Sequence, residues 1–336
     1  MKKRLILCCD GTWQDLETEF PTNIVRIAQA VKPTDSNGMT QMVFYDEGVG
    51  TFNFLDKAAG GAFGWGLDRN IAQAYRFLVL NWEPGDEIHL FGFSRGAYTV
   101  RSLGGLIRKC GILDGQYLRK IPNALNIYRD REAPVDGPEA MNFRTNYGKE
   151  AQITSLVCFD TVGSLGLPDQ IPFLPFDNWA NAKYQFHDIQ ISKLIDHAFH
   201  AVAIDEPRKV FAPTLMEKSP NHRQQKVRQT WFAGDHGCVG GGGKKKVPLS
   251  DIALDWVFEE YQKAKLKLEV NRTILFPEER QDPLADFEVD QGILGMLGGF
   301  ERKIVGGKSA LHPSVKTRWQ NASPKYRPKN LRRLLG

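Results

Sequence analysis

Asp86–Gly105, DEIHLFGFSRGAYTVRSLGG, decides the fold. Ile88, Leu90 and Phe93 belong to a short apolar run bounded by Pro84-Gly85 on one side and Gly96 on the other, the pattern of a strand buried in a parallel sheet. The run ends in Gly92-Phe93-Ser94-Arg95-Gly96, a turn of the form G-x-S-x-G, and Tyr98 to Ile107 continues as a helix. A serine at the tip of so sharp a strand-to-helix turn needs neighbours nearly without side chains two residues before and two after. Gly92 and Gly96 fill those places. Such a turn exposes the serine Oγ and brings the backbone N–H of Arg95, at the helix N-terminus, to the space beside it.

Upstream, Arg4–Cys9 is an apolar strand running into Asp10-Gly11-Thr12, and Thr22-Asn23 precedes a helix with Ile24, Ile27, Ala28 and Val31 at helical spacing. Gln41–Tyr45 reads as a second strand, followed by a glycine-containing loop, Gly48–Gly66, with the character of a flap. Leu67, Ile71, Ala74, Tyr75 and Leu78 then form one stripe of a helix leading to the serine strand. Downstream, Ile153–Phe159 is an almost wholly apolar strand ending at Asp160. Ile191–Ala203 reads as a helix, and Val227–Phe232 as a strand ending at Gly234-Asp235-His236. Ser250 is expected to cap an amphipathic helix with Leu254, Val257, Phe258 and Tyr261 on one face. Alternating βα units predict an α/β fold with a mostly parallel central sheet and helices on both faces, α/β-hydrolase-like, with ligands beyond the carboxyl ends of the strands. The expected organisation is one domain over residues 1–301, with lid or insert segments near 48–66, 115–150 and 168–190, and a basic tail over 302–336.

At 336 residues, 42% hydrophobic and 25% charged, the chain can bury a sizeable core. Its five cysteines are odd in number and lack C-x-x-C spacing, which points to buried thiols and away from a disulfide framework or a zinc ribbon. The opening MKKRLILCCDGTW has only Leu5–Cys9 as its apolar run, too short for a signal peptide, and no apolar stretch is long enough to span a bilayer. A cytoplasmic location is expected, with export by a route needing no cleaved signal as the alternative. The net charge of +5 conceals an asymmetry: ten of the 44 Lys and Arg residues and none of the 39 acids follow Glu301, so residues 1–301 carry −5. Such a tail can make peripheral contact with anionic phospholipid, or pack solvated on the acidic body. No aromatic ladder or helix-turn-helix pattern supports a nucleic-acid partner. Oligomeric state leaves no trace in the sequence.

Asp10, Ser94, Asp160 and His236 each follow an apolar strand closely, where polar groups need partners. Ser94, then Asp160, then His236 is the chain order of an α/β-hydrolase triad, in which the histidine takes the serine proton and the carboxylate fixes its tautomer. Of seven histidines, His236 stands out because Gly234–Gly243 holds six glycines in ten residues, so the backbone can carry the imidazole across to Ser94. His89 lies inside a strand, and His197 and His200 fall on the expected helix. Asp160 is the preferred acid, with Asp205 and Asp235 as competitors. The oxyanion hole is expected from the N–H of Arg95 together with the turn at Gly11 and Thr12, where Asp10 can hold the backbone by side-chain hydrogen bonds. The proline-stiffened stretch Asp169–Trp179 carries Phe173, Leu174, Phe176 and Trp179, suited to an acyl pocket or lid, with core packing under a loop as the plain alternative.

CCDGTW with a following TN, GFSRGAYTVRSLGGLI, CFDTVGSLG, HAVAIDEPRKVFAP and WFAGDHGCVGGG, in that order, resemble the uncharacterised α/β-hydrolase family that includes the type VI secretion phospholipase effectors. The resemblance covers Leu5 to about Gly243 and implies a serine esterase or lipase with Ser94, Asp160 and His236 as triad and phospholipid as one substrate class. In the family the last block reads H-S-D-V-G-G, whereas Gly237 and Cys238 stand here, a change that leaves the triad positions intact. Cleavage of carboxylic esters through an acyl-enzyme is thus expected, against the alternative of an inactive hydrolase-like module binding a lipid or protein partner. No cofactor or metal is expected. Asp10-Gly11-Thr12 matches only part of the phosphotransferase motif D-x-D-G-T, whose first acid is replaced by Cys8, a poor partner for magnesium. Gly240–Lys244 fails the phosphate-loop pattern at Cys238 and Lys245.

Overall fold

The computed structural model describes residues 2–11, 18–48, 62–130, 132–163, 190–277, 281–289 and 300–336. Six strands form one sheet: β1 (Lys3–Cys9), β2 (Thr40–Asp46), β3 (Glu87–Phe93), β4 (Ile153–Phe159), β5 (Ile195–Ala203) and β6 (Lys226–Phe232). They lie in the order β2-β1-β3-β4-β5-β6, and every pairing is parallel. The order reverses between β1 and β3, which makes the crevice beyond those two strand ends the expected ligand site of an open α/β sheet. Register brings Cys9 level with Gly92 and Gly92 level with Cys158, so the residues that follow them, Asp10, Ser94 and Asp160, emerge along one edge.

Alternate residues of each strand enter different cores, as the twofold period of a strand buried on both faces requires. Leu5, Leu7, Leu90, Leu156 and Ala198 pack with helices α2 (Ala62–Asn81) and α3 (Arg95–Cys110). Ile6, Cys8, Phe91, Phe93, Val157, Phe159 and Phe199 pack on the other side with α1 (Asn23–Ala30) and the long helix Val247–Lys263. The region 115–150 holds α4 (Ile121–Arg129) and α5 (Pro138–Tyr147), closed by a two-residue antiparallel pairing of Ile112-Leu113 with Gly148-Lys149. Between β6 and the long helix lies α6 (His236–Gly240); the long helix is α7.

Residues 300–336 form a third packed layer. Leu311, Val315 and Leu331, in or beside the helices α8 (Pro313–Asn321) and α9 (Lys329–Leu335), bury Val202, Ile204 and Trp231. A parallel bridge between Trp231 and Leu311 and the His312 N–H on Trp231 O (3.0 Å) cover the outer edge of β6. The charge asymmetry of this segment therefore conceals an apolar face that docks it.

Two elements differ from the sequence expectation. Residues 195–203 form β5 and not a helix, so His197 and His200 ride a strand. Ile191, Leu194, Ala198 and Val202 happen to fall at helical spacing, but a strand buried on both sides has no polar alternation to reveal it. Ser250 lies inside α7, its Oγ donating to Val247 O, while the helix starts earlier, with Pro248 in the first turn.

Candidate active site

The turn after β3 is built by close approach. A Cβ on Gly92 would sit 2.6 Å from the Ala97 backbone, and one on Gly96 would sit 2.0 Å from Cys9 O, so neither position admits a side chain. Ser94, between them, is held at φ 56° and ψ −119°, a region that costs a non-glycine residue about 1–3 kcal/mol. Its N–H is anchored on Phe159 O at 3.0 Å, which ties the elbow to the end of β4.

The turn after β1 is built around Asp10. This fully buried carboxylate accepts from the Gly11 N–H at 2.7 Å, the Thr22 hydroxyl at 2.5 Å and the Tyr45 hydroxyl at 3.2 Å. Burial pushes its carboxyl up to about 6 in spite of these donors. Asp10 thus holds the turn, its carboxylate taking the Gly11 N–H, and Gly11 keeps the space beside Ser94 clear. A Cβ at Gly11 would come within 3.2 Å of Ser94 Cβ. Thr12 lies outside the described residues. The Thr22-Asn23 pair, which the sequence offered without a role, does two jobs. Thr22 caps α1 and binds Asp10, while Asn23 donates to Val239 O (3.0 Å) and Ser250 O (3.2 Å), fastening α1 to the histidine-bearing helix α6.

Asp160 ends β4 with φ 43° and no exposure. Its Oδ2 accepts from His236 Nδ1 at 2.6 Å, and its Oδ1 accepts from the Ala203 N–H at 2.9 Å. Arg302, also fully buried, donates to both carboxylate oxygens, Nη1 to Oδ1 at 2.6 Å and Nη2 to Oδ2 at 3.0 Å. Burial alone would raise the Asp160 carboxyl, but the Arg302 charge and the His236 contact outweigh it and hold the group well below the usual carboxylate range. The competing acids are engaged elsewhere. Asp205 accepts from the Gly234 N–H and the Tyr326 hydroxyl, both at 2.6 Å. Asp235 caps α6 through the Cys238 N–H and pairs with Lys246 at 2.6 Å.

His236 opens α6, and its imidazole packs against two rings, Phe93 at 4.6 Å and Phe211 at 4.9 Å between centroids. Phe93, the residue before Ser94, links serine and histidine: its ring contacts the place a Gly11 Cβ would take at 3.3 Å and fills the one a Gly240 Cβ would take. With Nδ1 on Asp160, Nε2 is the imidazole nitrogen left for a serine hydroxyl. No hydrogen bond closes between Ser94 Oγ and His236 among the described residues, an arrangement common before substrate tightens such a site. The backbone N–H of His236 donates to Glu206 Oε2 at 3.2 Å, and Glu206 is gripped by Arg208 at 2.6 Å. His200 accepts from the Thr161 N–H at 3.1 Å beside Asp160, and burial lowers its imidazole to about 4.

Phe173, Leu174, Phe176 and Trp179 lie outside the described residues. A cavity of about 430 Å³ between α4 and α5 is lined by Asn126, Asp130, Glu139 and Phe143 among others, and by none of Ser94, Asp160 or His236. Arg302 had no sequence signal: it stands 142 residues from Asp160 in a stretch that reads only as basic.

A family model described as the catalytic domain of Tle1-like type VI secretion (T6SS) phospholipase effectors matches residues 3–260. The uncharacterized protein YEL023C of Saccharomyces cerevisiae is 30% identical over 242 residues, 65% of this chain and 33% of that protein, so the chain spans about a third of the length of this curated relative. Among solved structures, an uncharacterized protein from Pseudomonas aeruginosa aligns with a TM-score of 0.44 and 18% identity, over 84% of this chain and 47% of that one. The Tle1 effector bound to the VgrG spike of the type 6 secretion system aligns with a TM-score of 0.37 and 16% identity, over 74% and 52%.

Proposed function

The chain belongs to the Tle1-like phospholipase-effector catalytic-domain family, and on that premise we propose that it is a serine hydrolase cleaving carboxylic esters, phospholipids in particular, through Ser94, His236 and Asp160. The observation that carries this reading is the 2.6 Å contact of Asp160 with His236 Nδ1, made at the sheet edge where the strained serine turn also ends. Asp160, held in its charged form by Arg302 and His236, selects the tautomer whose Nε2 can accept the Ser94 proton. Ser94 Oγ attacks the acyl carbonyl as that proton moves to Nε2, giving a tetrahedral oxyanion. The Arg95 N–H, in the first turn of α3, faces negative charge favourably, and one such donor contributes about 2.7–4 kcal/mol to the transition state. Thr12 would supply the second donor. The intermediate collapses with its C–O bond breaking, the alcohol leaves with the proton from Nε2, and water, deprotonated by His236, releases the acid from Ser94.

Phe173, Leu174, Phe176 and Trp179 are proposed to receive the acyl chain, at about 0.8 kcal/mol per buried CH₂. Contact with anionic lipid would use the exposed Lys316, Lys325, Lys329, Arg332 and Arg333. Arg318 and Arg327 are withdrawn from that surface, the first buried over Phe287 and Tyr326, the second stacked 4.0 Å over Trp319. No described helix is long and apolar enough to cross a membrane. Asp160→Asn and His236→Ala should each lower kcat for an ester about 10⁴-fold, and the double variant should lose little more, since triad members act as a unit. Additive losses in a kcat comparison would mean that the two residues do not work together.

A further inference from the structure

We propose that Arg302 is a positioning residue that sets the working charge of the Asp160–His236 pair, keeping His236 neutral, and so able to accept a proton, to lower pH than a pair without it. The proposal rests on the triad reading above. Arg302 is fully buried and spends its fork on one carboxylate; its remaining bonds run to Ala203 O (2.8 Å) and Phe211 O (2.6 Å), and Nε has no partner among the described residues. The backbone around it is fixed by Asn330, whose side chain donates to Ile204 O and Arg302 O. A buried ion pair is often no more stable than well-packed apolar side chains in its place, because desolvation offsets the attraction. Here the carboxylate has a second client. Arg302 Nη2 and His236 Nδ1 donate to the same oxygen, Oδ2, at 3.0 and 2.6 Å, so the guanidinium stands no further from the imidazole than those two contacts end to end.

A guanidinium does not titrate, so its charge at this place is permanent. It supplies the counter-charge that Asp160 would otherwise draw from a protonated imidazole, and it repels the imidazolium directly. Among the other acids near His236, Glu206 pairs with Arg208 and Asp235 with Lys246, while Asp205, on the Gly234 N–H and the Tyr326 hydroxyl, is pushed up to about 6 by burial. On β5, burial disfavours the charged form of His200, and the rings packed on His236 are the uncharged Phe93 and Phe211. Removing the guanidinium leaves a desolvated carboxylate whose available cation is His236 itself. The pair then retains a proton to higher pH.

The test is the titration of the His236 ring by nuclear magnetic resonance, in the full chain, for the wild type, Arg302→Lys and Arg302→Met, alongside the acid limb of kcat/KM for a soluble ester. The midpoint should rise in the order wild type, Lys, Met, with Met displaced by about 1–3 pH units, the usual effect of one charge at this range. The acid limb should move in parallel, lowering kcat/KM about 10- to 1000-fold below the displaced midpoint. The lysine variant, with one ammonium in place of the fork, decides alone if Arg302→Met does not fold. A midpoint unchanged in folded variants overturns the proposal and leaves Arg302 a structural tie. If instead the wild type neither takes a fluorophosphonate at Ser94 nor cleaves esters, the esterase reading fails, while the midpoint order still judges Arg302.

Discussion

Ser94 and Asp160 share a backbone property that packing alone does not require: both sit at positive φ, 56° and 43°, where side-chain-bearing residues are uncommon. Strain of this kind persists only where the surroundings fix it, and here the surroundings are the Phe159 and Ala203 backbones on either side. Asp10 shows the same economy in charge. Its folded carboxyl, raised to about 6 by burial, lies above the value of about 3.9 for an exposed aspartate. The folded state therefore binds the extra proton between those values, and the stability it lends is lost as pH rises through that window. Asp10→Asn, which does not titrate, should gain about 3 kcal/mol relative to wild type between pH 4 and pH 7 in urea unfolding. Parallel stability curves for the two proteins would show that Asp10 does not carry this burden. At this scale the sequence was legible for the pairing of Asp160 with His236, because each closes an apolar run. It was silent on Arg302 and Glu206, whose roles arise from packing between segments distant in the chain.

Among the elements, α6 is the one that positions His236 for the proposed chemistry. It is only five residues long, so its position is set by what it touches: Asn23 on Val239 O, Asp235 as cap, and the Phe93 ring against Gly240. In Gly240→Ala the new Cβ would meet Phe93 Cε2 at 2.0 Å, and either the ring or the helix must shift. Overpacking of this sort costs about 1–3 kcal/mol. A displacement of about 1 Å in His236 should lower kcat near 100-fold with KM little changed. A variant with unaltered kcat would show that the phenylalanine yields and the helix stays. The glycine run was legible as a place where the chain turns, but its helical content was not, since glycine carries no periodicity. β5 was misread for the opposite reason: its apolar residues are so dense that a helical subset can always be found. The layer from 300 to 336 was read by charge, and charge does not report Leu311, Val315 and Leu331, which fix it to Trp231.

Across the whole molecule, the parallel sheet converts strand ends into a site. The topological reversal between β1 and β3 places the Asp10 turn beside Ser94, and the next strand delivers Asp160 to meet His236 from beyond β6. The C-terminal layer then seals the acid from below with Arg302, which means that truncation at Glu301 would damage the site as well as any lipid-binding surface. Interfacial attraction is better tested by charge reversal at Lys325, Lys329, Arg332 and Arg333, all exposed and remote in sequence from the buried pair. If they draw the protein to anionic vesicles, each contributes about 1 kcal/mol, weakened by salt, and the reversed variant should lose the vesicle-dependent part of its rate while keeping its rate on a soluble ester. Equal loss on both substrates would assign these residues to folding. The most direct measurement of the central claim is fluorophosphonate labelling of the intact protein with the modified peptide identified by mass spectrometry. The predicted result is a single adduct on Ser94, absent from Ser94→Ala and slowed about 10⁴-fold or more in His236→Ala. Labelling that persists in Ser94→Ala, or a wild type that takes no label while folded, would contradict it.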